Sequence, residues 1–383
     1  MSLPSKRIYF VDFARSFAIM LALTDHSMND FGMVPANIPL LKLITSSATP
    51  TFLLLFGMML EIIYLGRLRK FGIRKTAYGL INRSFQCYIG YFLTVVAGVI
   101  GGLQDVKAGL GAALFVGNCH FGNILKLYTV MLLVAIPLLW FRSKYGIWKT
   151  LLLGLSPWLI YPFLQMIPPF QPNLEIFTSY MFGFGDQGGP SVLYSLTLVT
   201  AGMLAASFIS FDEKLKFYFS TLGILAVLVT VVVIVFMLIP APVLTHNHLR
   251  NIYRDENNPL YYLFSTTLGL TVAFLSAVLI PIGARISGAT HTFMAFGRSS
   301  LTAFTAGNII LNLIAARIVH YQWNFLAPMT FVITVFLILQ FYEKVYPKLV
   351  IVSVIQRAFR GLTVRYHWYY VRRFAKGFVR ILG

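Results

Sequence analysis

The stretch "FVDFARSFAIMLALTDH", from Phe10 to His26, is apolar enough to sit in lipid yet carries Asp12, Arg15, Asp25 and His26. At 3.6 residues per turn Asp12, Arg15, Ile19, Ala22 and His26 fall on one stripe of a helix, with Arg15 and His26 about 16 Å apart along the axis. Asp12 and Arg15 are three residues apart and placed to pair. Each ionised group near mid-membrane costs on the order of 3 kcal/mol, so the stripe is expected to face a bundle interior or a wet cavity. A plainer alternative is an Asp12–Arg15 pair that only locks helix packing, with His26 an interfacial residue. Asp25 points about 100° away from His26 on an ideal helix.

Outward from this stretch, hydrophobic residues make up 58% of the 383-residue chain and charged ones only 11%, gathered into short clusters between long uncharged runs. No single soluble domain buries that many apolar runs of about 20 residues, so the fold class is all-α, a polytopic membrane protein. Hydrophobic runs predict ten transmembrane helices at roughly 8–28, 38–65, 77–102, 123–141, 148–167, 190–210, 217–239, 260–283, 293–316 and 326–345. Lys6 and Arg7 before the first run resemble a secretory signal, but Asp12, Arg15 and the absence of a small-residue cleavage site favour a retained helix.

Basic residues set the expected orientation. "GRLRKFGIRK", between the second and third runs, holds Arg67, Arg69, Lys70, Arg74 and Lys75, and the next such turn holds Arg142, Lys144 and Lys149. The positive-inside rule puts both turns, and with them both termini, in the cytoplasm. The alternate connections are rich in Pro, Gly, Asn and acids, with Arg250 and Arg254 as exceptions. The formal net charge of +19 comes largely from "GRLRKFGIRK" and from the tail. The division expected is a ten-helix domain over 1–346 and a basic, aromatic tail over 347–383. The tail's place next to the last run favours the anionic inner leaflet over nucleic acid. Cys87 and Cys119 are expected at different depths, without a disulfide, and no cysteine pattern calls for a metal. His246 and His248, close together in a loop, read as solvated polar residues rather than a metal site.

The pattern Arg7, Asp12, Arg15 and His26 in "RIYFVDFARSFAIMLALTDH" resembles the opening helix of the acyltransferase-3 superfamily of membrane acyltransferases. "SATPTFLLLFGM", "NILKLYTVMLLVAIPLL" and "FGRSSLTAF" are similar to further pieces of that superfamily, the last two to its glucan succinyltransferase branch. The resemblance implies an integral membrane O-acyltransferase, in a bacterial cytoplasmic membrane. It would move an acetyl or succinyl group from cytoplasmic acyl-CoA to a hydroxyl of an extracytoplasmic glycan or similar acceptor, with no metal.

On that reading the phosphates of coenzyme A need cationic partners at the inner face. Arg83, deeper in "LINRSFQCY" than topology requires, and Arg298, after Gly297 at an expected helix start, are the first candidates; Arg67, Arg69, Arg74 and Lys75 follow. The pantetheine arm passes Arg15 and delivers the thioester near His26, a base of suitable pKa. Asp12 or Asp25 supports these groups. The polar run "TSSATPT" is a candidate lining, His120 and Lys126 are candidate acceptor contacts, and Glu175 and Asp186 belong to an outer loop. The rival readings are a transporter or flippase of a glycan or lipid-linked substrate, and a scaffold acting through its tail.

Overall fold

The computed structural model describes residues 8–32, 39–167, 172–184, 189–209, 213–238, 251–280, 288–318 and 326–345. The tail, Asp186, His246 and His248 lie outside these residues. Every regular element among the described residues is helical. By length and hydropathy, Leu41–Ile100, Asn123–Gln165 and Pro259–Leu279 are apolar enough to cross a membrane, and Thr290–Arg298 with Ser300–Arg317 forms a fourth if that pair, bent by 78°, is one span.

Two of these stretches double back. Gly72 has φ 75° and Gly146 φ 85°, a backbone region open to glycine at little cost, and both lie in the basic turns. Phe56 and Cys87 line one cavity, although an unbroken helix at ~1.5 Å per residue would hold them on the order of 45 Å apart. The chain therefore reverses at Gly72 between α3 (Ala48–Met59) and the body of α4 (Leu65–Ile100). It reverses again at Gly146 within α6 (Asn123–Leu155), whose later half is held against α9 (Val192–Ser207) by a hydrogen bond from Thr197 Oγ1 to the Gly154 carbonyl at 3.0 Å. Helix α9 also meets α3 at backbone distance. A Cβ on Gly57 would lie 1.9 Å from the Val199 carbonyl oxygen, and one on Gly202 would lie 2.1 Å from that of Leu54. Small residues permit this approach, which maximises packing where lipid gives no hydrophobic gain.

Helix α1 (Tyr9–Asp30) runs through the bundle against α2 (Pro39–Ser46), α3, α12 (Pro259–Leu279), α14 (Ala295–Arg298), α15 (Ser300–Ile318) and α16 (Leu326–Val345). Of the stripe, Asp12, Ile19 and Ala22 are buried, while Arg15 and His26 are partly exposed and line cavities. It is not among the stretches that qualify by length and hydropathy, and neighbouring helices pack along it.

The structure departs from the expected runs in several places, among them a break at Ser156 within the 148–167 run. The 38–65 run is interrupted at Ser47 and ends in a π-helical turn, Leu60–Tyr64, where Glu61 is gripped by Arg142 at 2.6 and 2.9 Å. The connections read as loops contain helices α5 (Val106–Ala113) and α8 (Pro172–Phe182). The 293–316 run breaks around Ser299, and Arg298 closes the short α14 instead of opening a helix.

Candidate functional site

Two cavities lie along the first helix. One, of about 190 Å³, is lined by Asp25, His26, Asn29, Thr49 and Phe121, among others. The second, of about 380 Å³, is lined by Arg15, Tyr64, Arg83, Cys87 and Tyr128. Phe52, Ile124 and Phe304 line both, and the Phe52 and Phe304 rings meet edge to face at 6.0 Å. Arg15 and His26, three turns apart on α1, thus open to opposite sides of one aromatic partition.

His26 is held in the smaller cavity by a hydrogen bond and a ring stack. Its Nδ1 lies 3.0 Å from Asn308 Oδ1 on α15, and its ring stacks on Phe121 with centroids 4.1 Å apart. Asn308 Nδ2 donates to the Phe121 carbonyl at 2.8 Å, which fixes the amide and makes Oδ1 the acceptor toward His26. Nδ1 therefore carries the proton in the neutral ring, leaving the Nε2 lone pair as the basic one. One turn on, Asn312 Nδ2 donates to the carbonyls of Thr94 and His120, each at 3.2 Å. The two asparagines of "GNIILN" tie α15 to the loop carrying Phe121.

Asp25 does not reach back to His26 through a hydrogen bond. Its carboxylate accepts from Lys42 Nζ at 2.8 and 3.0 Å and from Thr45 Oγ1 at 2.8 Å, which couples α1 to α2. Asp12 stays deep in the bundle near Arg15 and interacts with it electrostatically. The Asp12 backbone carbonyl lies under Gly297, whose N–H donates to Ser16 Oγ at 2.7 Å. The "FGRSS" segment is thereby seated on the opening helix.

The larger cavity draws two guanidinium groups together, Arg15 and Arg83, and no carboxylate among the described residues lines it. Arg83 also donates to Gln86 Oε1 at 2.9 Å, and Tyr128 OH donates to the Phe52 carbonyl at 2.6 Å. Two cations in a partly enclosed space suit a polyanion. Arg67, Arg69 and Arg74 sit exposed around the Gly72 reversal and do not line this cavity, and Arg67 stacks over Tyr64 at 5.5 Å. Arg298 donates to the His291 carbonyl at 2.6 Å and does not line the cavity either, although Ser300 and Leu301 do.

The "TSSATPT" run divides its duties. Thr45 holds Asp25 and Thr49 lines the His26 cavity, while Ser46 and Ser47 bond carbonyls of their own helix. His120 Nε2 pairs with Asp30 Oδ1 at 2.8 Å, and Glu175 offers its backbone carbonyl to Thr178. Lys126 is fully buried, over the Tyr180 ring at 4.3 Å, so it is not a solvated loop residue. Sequence reasoning missed Asn308, Lys42 and Phe121. Two amides one turn apart in an apolar run, Asn308 and Asn312, were the signal available for the first. Among the described residues no cluster of His, Cys, Asp or Glu is arranged to hold a metal ion. No family model, no curated protein and no solved structure matches the chain.

Proposed function

We propose that this membrane protein is an acyl-CoA-dependent O-acyltransferase of the acyltransferase-3 type, with about ten spans and both termini in the cytoplasm of a bacterial inner membrane. One observation carries the reading. A cavity with two arginines and a cavity with an imidazole base share a wall of Phe52, Ile124 and Phe304. A donor with a polyanionic head and a slender reactive arm suits the first, and a neutral hydroxyl acceptor the second. The shared wall is where their reacting ends would meet.

Arg15 and Arg83 hold the anionic donor, with Arg67, Arg69 and Arg74 as an outer cationic rim. The acceptor hydroxyl oxygen attacks the thioester carbonyl as His26 Nε2 takes its proton. The C–S bond breaks, and the proton passes from the imidazolium to the departing thiolate of coenzyme A. Asn308 keeps the ring in the competent tautomer. Asp25 acts at one remove, by fixing α2 beside the cavity through Lys42. The acyl group is acetyl or succinyl, and the acceptor is a glycan or similar molecule on the far side.

The test is transfer of radiolabel from acetyl- and succinyl-CoA by membranes containing wild type or His26→Ala, with host envelope material as acceptor. Label on a glycan or lipid with wild type alone supports the proposal. Equal labelling by both removes His26 from the chemistry, and no labelling by folded protein with any donor favours a transporter or flippase.

A further inference from the structure

Arg254, like Arg250, breaks the charge pattern that orients the chain, since it falls in a connection expected on the far side. The structure puts it in the wall of the His26 cavity, beside Asn251, Gly189 and Pro190. It belongs to α11 (Ile252–Asp255), preceded by Asn251 in the left-handed region at φ 61°. Gly189 is pressed so closely on it that an added Cβ would lie 1.6 Å from the Arg254 carbonyl oxygen. The backbone under this side chain is therefore clamped between two segments.

Among the described residues that line the cavity, Arg254 is the one lysine or arginine. Both Asp25 oxygens are taken by Lys42 and Thr45, and the Lys42 ammonium is spent on that carboxylate. Arg254 Nε and Nη2 both reach the same oxygen, Asp255 Oδ1, at 2.9 Å. No described residue takes the Nη1 protons. Arg254 lines the cavity, and its side chain keeps about a third of its surface open, 34% by exposure. Asn29, Asn123 and Thr49 supply neutral hydrogen-bonding groups around the same space. At about 190 Å³ the cavity admits one small unit of a larger acceptor, being smaller than the roughly 300–1,000 Å³ of sites for drug-sized ligands.

We infer that Arg254 reads a negative charge on the acceptor, so that the acceptor is an anionic saccharide bearing a carboxylate or a phosphate near the hydroxyl that is acylated. This rests on the acyl-transfer reading of the same cavity. Guanidinium gives planar, charge-assisted contacts to either anion, and a neutral sugar leaves them unmade.

The test is saturation-transfer NMR on the full chain in lipid nanodiscs, titrating D-glucose, D-glucuronate and D-glucose 6-phosphate as probes. The expected result is at least about tenfold tighter binding of one or both anionic sugars than of glucose. Arg254→Gln abolishes that preference and Arg254→Lys keeps part of it. Preference for glucuronate alone marks a carboxylate acceptor, and for the phosphate alone a phosphorylated one. Asp255→Asn, which releases the competing carboxylate, strengthens anion binding and carries the test if Arg254→Gln does not fold. Equal binding of glucose, a preference that survives Arg254→Gln, or binding of none of the three overturns the inference. Arg254-dependent anion binding without label transfer from any donor keeps the anion site and removes the acyl-transfer reading. Label transfer to a neutral acceptor that Arg254→Gln leaves unchanged does the reverse.

Discussion

His26 Nδ1 and Asn308 Oδ1, separated by 282 residues of sequence, lie 3.0 Å apart in the bundle. The contact is positional as well as cohesive, because the second bond from Asn308, to the Phe121 carbonyl, settles which imidazole nitrogen is basic. Asn308→Leu should cost about 1–3 kcal/mol of stability by leaving that buried carbonyl unpaired. It should also lower acyl transfer more than thermal stability explains. Transfer rates compared with melting temperatures decide this, and a stable variant with the wild-type rate would remove the positioning role.

Removal of the base itself is a larger perturbation. His26→Ala should lower transfer by about 10²–10⁴-fold, the range typical of a positioned general base and more than the stability lost with the Asn308 contact and the Phe121 stack explains. A wild-type rate in that variant returns His26 to a packing role.

Asp25 illustrates a charge kept for architecture. Lys42 is 5% and Asp25 18% exposed at the side chain, so Lys42→Met leaves a nearly buried carboxylate without its cation. That should destabilise by about 3–5 kcal/mol, and the double variant Asp25→Leu with Lys42→Met by much less. A thermal-melt double-mutant cycle reads the difference, and the double variant should still transfer label. Loss of transfer in a folded double variant assigns Asp25 a part in the chemistry.

Arg83 tests the larger cavity. Arg83→Ala should weaken saturable acyl-CoA binding by about tenfold or more, whereas Arg298→Ala, whose guanidinium is turned to the His291 carbonyl, should not. Equilibrium binding of labelled acetyl-CoA distinguishes them, and equal losses would place Arg298 in the donor site after all.

Cys119 gives a prediction about reactivity. Burial pushes its thiol up to about 12, and the thiolate is the reactive form. Alkylation by iodoacetamide should therefore stay slow from pH 7 to pH 9 in the folded protein and become rapid on denaturation. Mass spectrometry of the Cys119 peptide checks this, and rapid native labelling at pH 8 would contradict the buried placement. Cys87 and Cys119 are both free and buried, in line with the expectation of no disulfide.

Several features were legible in the sequence because they depend on local pattern. The helical period of "FVDFARSFAIMLALTDH" placed Asp12, Arg15, Ile19, Ala22 and His26 on one side, and of these Arg15 and His26 line the two cavities. Clustered basic residues marked the two connections in which the chain reverses, because the charge belongs at a membrane surface, while the reversal points Gly72 and Gly146 appear only in the structure. What the sequence left open was partnership. Nothing in the order of residues says that Asn308 rather than Asp25 meets His26, that Lys42 captures Asp25, or that Arg83 and not Arg298 shares a cavity with Arg15. Those outcomes depend on how helices distant in the chain cross and break, as α14 and α15 do around Ser299. Hydrophobic period is fixed residue by residue, whereas the geometry of a buried polar contact is decided by the packing of the whole bundle.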